Sequence, residues 1–279
     1  MGELASSRAH SPKQAVRLRH LTKIYEGRDG PVTALQDFSC DIAEGEFAVI
    51  LGPSGCGKST AIRIVAGLEK PMSGTVLVNG SPIAQPGKTC GMVFQSYTSF
   101  PWLTVIENIS FGLGYASKGD KKDVREKARE FAHVVGLSEF QNAYINQLSG
   151  GMKQRVAIAS SLAINPEILL MDEPFGALDS QTRMAMQELL LEITEGSAKT
   201  VILVTHDIDE ALLLGDRIYV CTARPGKVLA ELEVPFSHPR NASVRSQKKF
   251  AEMKYEIFHL LRDHIYAQIL ETAIERRRR

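Results

Sequence analysis

Runs of consecutive apolar residues alternate along the chain with segments in which apolar positions recur at helical spacing. Runs that are apolar on consecutive positions are typical of strands buried on both faces of a parallel sheet. They are Phe47–Leu51, Thr75–Val78, Met92–Phe94, Ile168–Met171 and Val201–Val204. The helical patterns between them are Ser59–Ala66, Lys122–Val135, Gln154–Ala163 and Thr182–Thr194. This alternation of strands and helices predicts an α/β fold.

The two ends of the chain differ from this central part. Residues 1–15 are polar and without periodicity, which predicts a flexible N-terminal tail and a folded part that begins near Val16. The C-terminal segment, residues 241–279, ends in the arginine cluster Arg276–Arg279. Its apolar residues at helical spacing are Phe250, Met253, Ile257, Leu261, Ile265 and Ile269. The pattern predicts an amphipathic helix that packs on its own domain, and a regulatory or partner-docking role stays open.

Composition and charge describe an ordinary soluble protein with one main core. The 279 residues are 44% hydrophobic and 23% charged, as in typical globular domains. A formal net charge of +1 argues against binding driven by bulk electrostatics, so no nucleic-acid partner is expected. No apolar run reaches the roughly 18 residues needed to cross a bilayer, and no signal peptide is visible. The four cysteines form no close pair that would indicate a disulfide framework or a zinc site.

The segment GPSGCGKST, Gly52–Thr60, matches the phosphate-binding loop (P-loop) pattern G-x-x-x-x-G-K-[ST]. It lies between a predicted strand and a predicted helix, where backbone N–H groups and the helix N-terminus can bind phosphate. Lys58 is then expected to reach the β- and γ-phosphates of ATP, and the Ser59 hydroxyl to ligate Mg²⁺. The loop residues predicted to bind ATP are Gly52, Pro53, Ser54, Gly55, Cys56, Gly57, Lys58, Ser59 and Thr60.

Two adjacent carboxylates, Asp172 and Glu173, follow the apolar run Ile168–Met171. Beside a P-loop, such a pair can place one carboxylate at the metal and leave the other for the attacking water. Asp172 is therefore the expected Mg²⁺ ligand, and Glu173 is the expected general base. Without the P-loop, two acids that cap a strand end at a turn would be the simpler interpretation.

A second motif, LSGGMKQR, occupies Leu148–Arg155 and opens a helical pattern. It resembles the LSGGQ signature of the ABC ATPase family, with Met152 in place of the usual glutamine. Ser149, Gly150 and Gly151 at a helix N-terminus would form a second anion site. In the family, this signature closes over the γ-phosphate that the P-loop of the other subunit holds. The resemblance therefore implies a head-to-tail dimer that encloses two ATP molecules.

The resemblance covers about residues 16–230 and extends to further residues in the family's order. Gln95 is similar to the Q-loop glutamine that contacts Mg²⁺ or water, and Asp179 to the D-loop aspartate. His206 is similar to the switch histidine that holds the γ-phosphate, and Tyr25 to the A-loop aromatic that stacks on adenine. Taken alone, His206 and Tyr25 would be unremarkable residues at strand ends.

The resemblance implies the fold and the enzyme class. The expected fold is a P-loop NTPase core of ABC ATPase type with an antiparallel β subdomain, a helical subdomain near residues 97–160 and a C-terminal helical extension. The nucleotide-binding domain is expected to span residues 16–240, and the activity to be a Mg²⁺-dependent ATPase. The predicted catalytic residues are Glu173, His206, Gln95 and Lys58, and the predicted metal ligands are Ser59, Gln95 and Asp172.

Within the family, the chain resembles the compact ATPases of importers. It has one cassette, no membrane span, only a short segment between Lys58 and Ser149, and no β-rich C-terminal domain. Three segments, Phe94–Val105, Glu173–Asp179 and Ala223–Val228, are similar to the nitrate, sulfonate, taurine and bicarbonate uptake family. The resemblance implies three partners: transmembrane permease subunits, a second copy or close paralogue of the ATPase, and a periplasmic or lipoprotein substrate-binding protein. The expected location is the cytoplasmic face of the inner membrane.

The segment after Gln95 has two possible roles. It contains Phe100, Pro101, Trp102 and Leu103, and in the family this region lines a groove that receives a coupling helix of the permease. The same side chains could instead cover the helical subdomain. Two other functions also stay open for the whole chain. One is an ABC ATPase of a lipid-trafficking or envelope-remodelling complex, and the other is a soluble regulator that uses ATP as a switch.

Overall fold

Ten strands and seven helices make up the part of the chain that the computed structural model describes, residues 13–28, 30–96, 98–116, 120–195 and 199–278. Side chains are described in these ranges except at 115, 116 and 265–278. The strands are β1 (Gln14–Gly27), β2 (Gly30–Ala43), β3 (Phe47–Leu51), β4 (Ser73–Val78), β5 (Ser81–Pro82), β6 (Cys90–Val93), β7 (Ile168–Asp172), β8 (Thr200–Thr205), β9 (Arg217–Cys221) and β10 (Val228–Glu233). The helices are α1 (Lys58–Val65), α2 (Val105–Ala116), α3 (Lys121–Val134), α4 (Gly150–Ala163), α5 (Ser180–Thr194), α6 (Ile208–Leu214) and α7 (Lys248–Arg278).

A central sheet joins six of these strands in the order β10-β9-β3-β8-β7-β6. The strands from β9 to β6 run parallel, and β10 pairs with β9 in the antiparallel direction. Strands β3, β7 and β8 are buried at every position, because apolar clusters cover both faces of the sheet. Four of the five predicted apolar runs therefore lie in this parallel sheet. The prediction is wrong for Thr75–Val78, which belongs to β4 of an antiparallel sheet and is only partly buried.

Alternate residues of the central strands face two different cores. In β3, Phe47, Val49 and Leu51 belong to the larger core, whereas Ala48 and Ile50 belong to the smaller one. Residues of helices α2 to α7 complete the larger core, and residues of α1, β1, β2 and β4 complete the smaller one. The central sheet thus separates two hydrophobic cores, one on each face. Packing of side chains on both faces holds the ends of its strands in place.

A second, antiparallel sheet has the strand order β2-β1-β4-β5. Its long hairpin pairs β1 with β2 from Gln14 and Ala43 to Gly27 and Gly30, with several shifts of register. Apolar runs do not reveal β1 and β2, because burial alternates irregularly along both strands. The first strand begins at Gln14, inside the segment predicted to be a tail, and the rest of that segment up to residue 12 lies outside the described residues.

Helices α2, α3 and α4 form a lobe beside the central sheet. Helix α4 begins at Gly150 because the Ser149 hydroxyl accepts a hydrogen bond from Met152 N at 3.3 Å. At the start of α2, the buried side chain of Asn108 accepts from Phe100 N at 2.8 Å and donates to the Phe100 carbonyl at 3.2 Å. Asn108 therefore fixes the segment that leads into the lobe, including Trp102.

The C-terminal helix α7 packs on the larger core. Phe250, Met253 and Ile257 are buried there, and Leu261 is partly buried against it. Ile265 and Ile269, which continue the predicted stripe, and the cluster Arg276–Arg279 lie beyond the described side chains. Where the chain is described, no helix combines the length and the apolar character needed to span a membrane.

Two neighbouring residues of α7 provide a test of this packing. Ile257→Ala should lower the free energy of unfolding by about 2–4 kcal/mol, because it opens a cavity at a fully buried position. Phe258→Ala, at a position that is 52% exposed, should change it by less than about 0.5 kcal/mol. Chemical denaturation of both variants measures the difference. Equal effects would show that the helix does not pack as described.

Candidate functional site

Most of the predicted site residues lie at or after the carboxyl ends of four neighbouring parallel strands. Strand β3 leads into the P-loop, β7 ends at Asp172, β8 ends at Thr205 next to His206, and β6 ends at Val93, two residues before Gln95. The carboxyl ends of parallel strands lie at one edge of the sheet, where ligands bind in open α/β folds. The side chains form a cleft of about 280 Å³. It is lined by Tyr25, Val32, Ala34, Ser54, Gly55, Gly57, Lys58, Ser59, Thr60, Gln95, Glu173 and Arg224.

The P-loop is shaped by its glycines and by its lysine. Gly55 and Gly57 have φ angles of 76° and 94°, in the left-handed region that favours glycine. A Cβ atom on Gly57 would lie 2.4 Å from a backbone oxygen of β2, so this position has no room for a side chain. Lys58 Nζ donates hydrogen bonds to the carbonyls of Gly52 and Pro53, both at 2.9 Å. The buried lysine thus holds the loop closed around its own ammonium group.

Ser59 and Asp172 form the oxygen-rich part of the site. The Ser59 hydroxyl donates to Asp172 Oδ1 at 2.7 Å, and Asp172 is fully buried. Within the described residues, Asp172 Oδ2 is buried without a hydrogen-bond partner. Burial raises the pKa of the Asp172 carboxyl, and the hydrogen bond from Ser59 opposes that shift. A buried carboxylate oxygen without a partner next to a hydroxyl fits Mg²⁺, which prefers oxygen ligands.

Glu173 brings three predicted catalytic residues together. Its carboxylate lies 3.9 Å from Lys58 Nζ, accepts a hydrogen bond from Gln95 Nε2 at 3.2 Å, and lies 3.3 Å from His206 Nδ1. Its backbone has a φ angle of +46°, a conformation that is uncommon outside glycine and often found at functional sites. The two oxygens of the Glu173 carboxylate thus lie among the ammonium group of Lys58, the side-chain amide of Gln95 and the imidazole of His206.

Two further residues line the cleft but do not follow the four parallel strands described above. Tyr25 belongs to β1, and Arg224 lies between β9 and β10. The Tyr25 hydroxyl donates to the Glu69 carboxylate and lies 3.3 Å from Thr60 Oγ1, while the residue stays 36% exposed. Arg224 Nε donates to the Gly55 carbonyl at 3.2 Å. Arg224 is not predictable as a site residue from the sequence, because the P-loop is distant in sequence and no motif links the two. The only sequence signal in this segment, Ala223–Val228, is its similarity to the uptake family.

Three loop residues that were predicted to bind ATP do not line this cleft: Gly52, Pro53 and Cys56. Gly52 and Cys56 are buried, and burial raises the pKa of the Cys56 thiol. The Cys56 side chain belongs to the smaller core, so it is packed away from the cleft.

The signature motif lies elsewhere on the same chain. Ser149, Gly150 and Asp179 are exposed, Gly151 is half-buried, and none of the four lines the cleft. Asp179 caps α5 by accepting hydrogen bonds from the backbone N–H groups of that helix's first turn at 3.0 and 3.1 Å. These hydrogen bonds lower the pKa of the Asp179 carboxyl. The fold therefore does not bring the signature to the P-loop of its own chain.

Comparison with known proteins gives several relatives that match over most of the chain. The family model described as ABC transporter matches residues 35–176. An uncharacterized ABC transporter ATP-binding protein of Methanocaldococcus jannaschii is 46% identical, with 91% of this chain and 93% of the relative covered. A nitrate import ATP-binding protein of Synechocystis sp. is 43% identical, with 88% and 95% covered. An aliphatic sulfonates import ATP-binding protein of Bacillus thuringiensis is 39% identical, with 93% and 99% covered.

Solved structures match the fold as well. A dimeric ATP-binding cassette in a post-hydrolysis state, bound to ADP and Pi, has a TM-score of 0.73 and 38% identity, with 80% of this chain and 100% of that chain covered. CbiO1 from Clostridium perfringens, described as part of an ABC transporter complex, has a TM-score of 0.68 and 29% identity, with 87% and 94% covered. The predicted ABC ATPase fold is confirmed, and the chain belongs to the ABC transporter family as one of its ATP-binding ATPase subunits.

Proposed function

We propose that this protein is the ATP-hydrolysing subunit of an ABC importer and drives the uptake of a small anion through a separate permease. The observation that carries the proposal is the convergence of Lys58, Gln95 and His206 on the carboxylate of Glu173 in one cleft. The names of the nitrate and sulfonate import relatives support an importer rather than a lipid-trafficking complex. The proposed substrate class is an anion of the nitrate, sulfonate, taurine or bicarbonate type.

The proposed hydrolysis uses the two carboxylates differently. Glu173 accepts a proton from the attacking water, while Gln95 and His206 hold the carboxylate and the water in position. Lys58 places a positive charge at the β- and γ-phosphates of ATP. Ser59 and Asp172, with Gln95 nearby, would hold Mg²⁺. When bound, that ion neutralises negative charge on the phosphate oxygens.

A complete site in this proposal requires a second copy of the chain. Ser149, Gly150 and Gly151 lie at the exposed N-terminus of α4, where backbone N–H groups can bind the γ-phosphate of a neighbouring copy. Asp179 lies at the similarly exposed N-terminus of α5. Because one chain carries both a cleft and a signature, two identical copies arranged head to tail would form two equivalent sites.

An exposed aromatic cluster is the proposed contact with the permease. Trp102 is 69% exposed and Phe111 is 58% exposed, and Phe100 lies between them with ring centroids 5.5 and 4.7 Å away. Side chains this exposed do not fill the interior of the helical lobe, so the interface role is favoured for Trp102. Aromatic side chains are preferred anchors at protein interfaces.

As a subunit of such an importer, the protein would lie at the cytoplasmic face of the cell membrane. It would bind there as a peripheral subunit through the permease. A periplasmic or lipoprotein substrate-binding protein would be reached only through that permease. Selection of the anion would accordingly belong to the permease and the binding protein.

Glu173→Gln tests the proposed base. The change keeps the size of the side chain but removes the proton acceptor, so hydrolysis should fall by about a hundred- to ten-thousand-fold. ATP binding should persist because Lys58 and Ser59 are unchanged, and one negative charge near the γ-phosphate is removed. Phosphate release and fluorescent-nucleotide titration measure the two effects. Glu126→Gln, at an exposed position on α3, is the matched control and should hydrolyse ATP normally.

The Glu173→Gln variant also tests whether two copies of the chain share each ATP site. With ATP and Mg²⁺, the Glu173→Gln protein should run as a dimer in size-exclusion chromatography with light scattering, and without nucleotide as a monomer. Hydrolysis close to the wild-type rate would show that Glu173 is not the base. A monomer at saturating ATP, despite lost turnover, would show that ATP alone does not hold the two copies together.

Ser149→Arg should stop hydrolysis while ATP affinity of the isolated chain stays within about twofold. The arginine would block the signature surface facing the other copy, whereas the cleft of its own chain does not contain Ser149. Ser149→Thr, which keeps a hydroxyl to cap α4, should retain most activity. Loss of ATP binding by monomeric Ser149→Arg would place this residue in the pocket of its own chain and contradict the dimer proposal.

Trp102→Ala should separate permease binding from ATP chemistry. The affinity-tagged wild-type protein, purified from solubilised native membranes, should carry a polytopic permease, and the variant should carry at least about tenfold less. Basal hydrolysis by the isolated variant should remain normal because Trp102 lies outside the cleft. Phe140→Ala, another exposed aromatic position, is the control. Undiminished co-purification of the permease with Trp102→Ala would contradict the proposed contact.

A further inference from the structure

A line of hydrogen bonds, partly buried at its start and buried beyond it, runs from the C-terminal extension to the strand that precedes His206. It begins at Arg245, in a 3₁₀ turn (Ala242–Ser246) just before α7. Arg245 Nη2 donates to Gln187 Oε1 at 2.9 Å, and Gln187 Nε2 donates to Glu210 Oε1 at 3.1 Å. The other carboxylate oxygen of Glu210 accepts from Thr205 Oγ1 at 2.6 Å. Four residues from four separate elements are thus connected in one line.

The middle of this line of hydrogen bonds is shielded from solvent. Gln187, Glu210 and Thr205 are each at least 95% buried. The amide of Gln187 suits its position, because one end accepts from the guanidinium and the other donates to the carboxylate. Burial raises the pKa of the Glu210 carboxyl, so its ionised form depends on the donors that reach it. Loss of any link would leave a buried polar group unsatisfied.

Thr205 connects the buried chain to the hydrolytic site. Its hydroxyl accepts from Asp207 N at 3.0 Å, and its carbonyl accepts from Gly52 N at 3.4 Å. His206 lies between Thr205 and Asp207, and its Nδ1 is 3.3 Å from the Glu173 carboxylate. The Thr205 hydroxyl that Glu210 orients therefore binds the residue directly after His206. The Thr205 backbone holds the residue directly before it against the P-loop.

We propose that Arg245 is a positioning residue for hydrolysis, which acts through Gln187, Glu210 and Thr205 to hold His206 against Glu173. The inference rests on the proposed role of His206. It gives the C-terminal extension a role in turnover in addition to its packing on the core. Arg245 does not line the cleft, so its removal should affect catalysis and leave nucleotide binding unchanged.

The test measures kcat, ATP affinity and Tm for full-length Arg245→Ala, with His206→Ala in parallel. Arg245→Ala should lower kcat by about tenfold, the scale of one lost hydrogen bond to a charged group, while ATP affinity stays within about twofold. Arg245→Lys should recover most of kcat because an ammonium can still donate to Gln187. Arg262→Ala is the matched control on the same extension, because Arg262 forms its described ion pair with the adjacent Asp263. It should behave as wild type.

A second pair of variants separates this route from a general loss of stability. In a Gln187→Leu background, Arg245→Ala should lower kcat by less than about twofold further, because the connection is already broken. A kcat within twofold of wild type for Arg245→Ala, with His206→Ala inactive, would overturn the inference and leave the proposed function intact. A parallel loss of kcat and ATP affinity would also overturn it. Normal turnover by His206→Ala would instead contradict the proposed role of His206, and the inference with it.

Discussion

The parallel order β3-β8-β7-β6 is the constraint on which the site depends. In this order, Leu51 pairs with Thr205, Val204 pairs with Asp172, and Met171 pairs with Val93. Neighbouring strands lie about 4.8 Å apart, so the residues that follow these pairs are within side-chain reach of one another. Burial on both faces fixes this register, because a shift of one residue would exchange the side chains between the two cores. The geometry of the cleft is therefore a consequence of core packing.

Two consecutive carboxylates acquire different environments from this arrangement. Asp172, the last residue of β7, is fully buried and bound to Ser59. Glu173 leaves the strand with a positive φ angle, and its side chain, still 13% exposed, faces Lys58, Gln95 and His206. Acids in unlike surroundings can take unlike roles. One is suited to a metal ion and the other to a water molecule, and a local change in the backbone separates them.

Sequence predicted the parts of the site that are continuous in the chain. Local pattern and local structure coincide at the P-loop, at the pair Asp172 and Glu173, and at strands β3, β7 and β8, so the sequence predicts these parts. The sequence does not predict strands β1 and β2, because their buried residues form neither a consecutive apolar run nor a regular alternation. Arg224 at Gly55 and Arg245 at Gln187 depend on contacts between residues far apart in sequence. No spacing rule finds such contacts without the fold.

Besides the apolar packing of α7, two described polar contacts between the extension and the ATPase core differ in strength. Lys254 and Asp209 form an ion pair at 2.8 Å, but both side chains are about half exposed, and such pairs contribute about 0–1 kcal/mol. The bond from Arg245 to Gln187 leads into a buried network, where an unsatisfied group costs about 1–3 kcal/mol. A disturbance of the extension would therefore be transmitted to Thr205 through the network, whereas water can replace the surface pair.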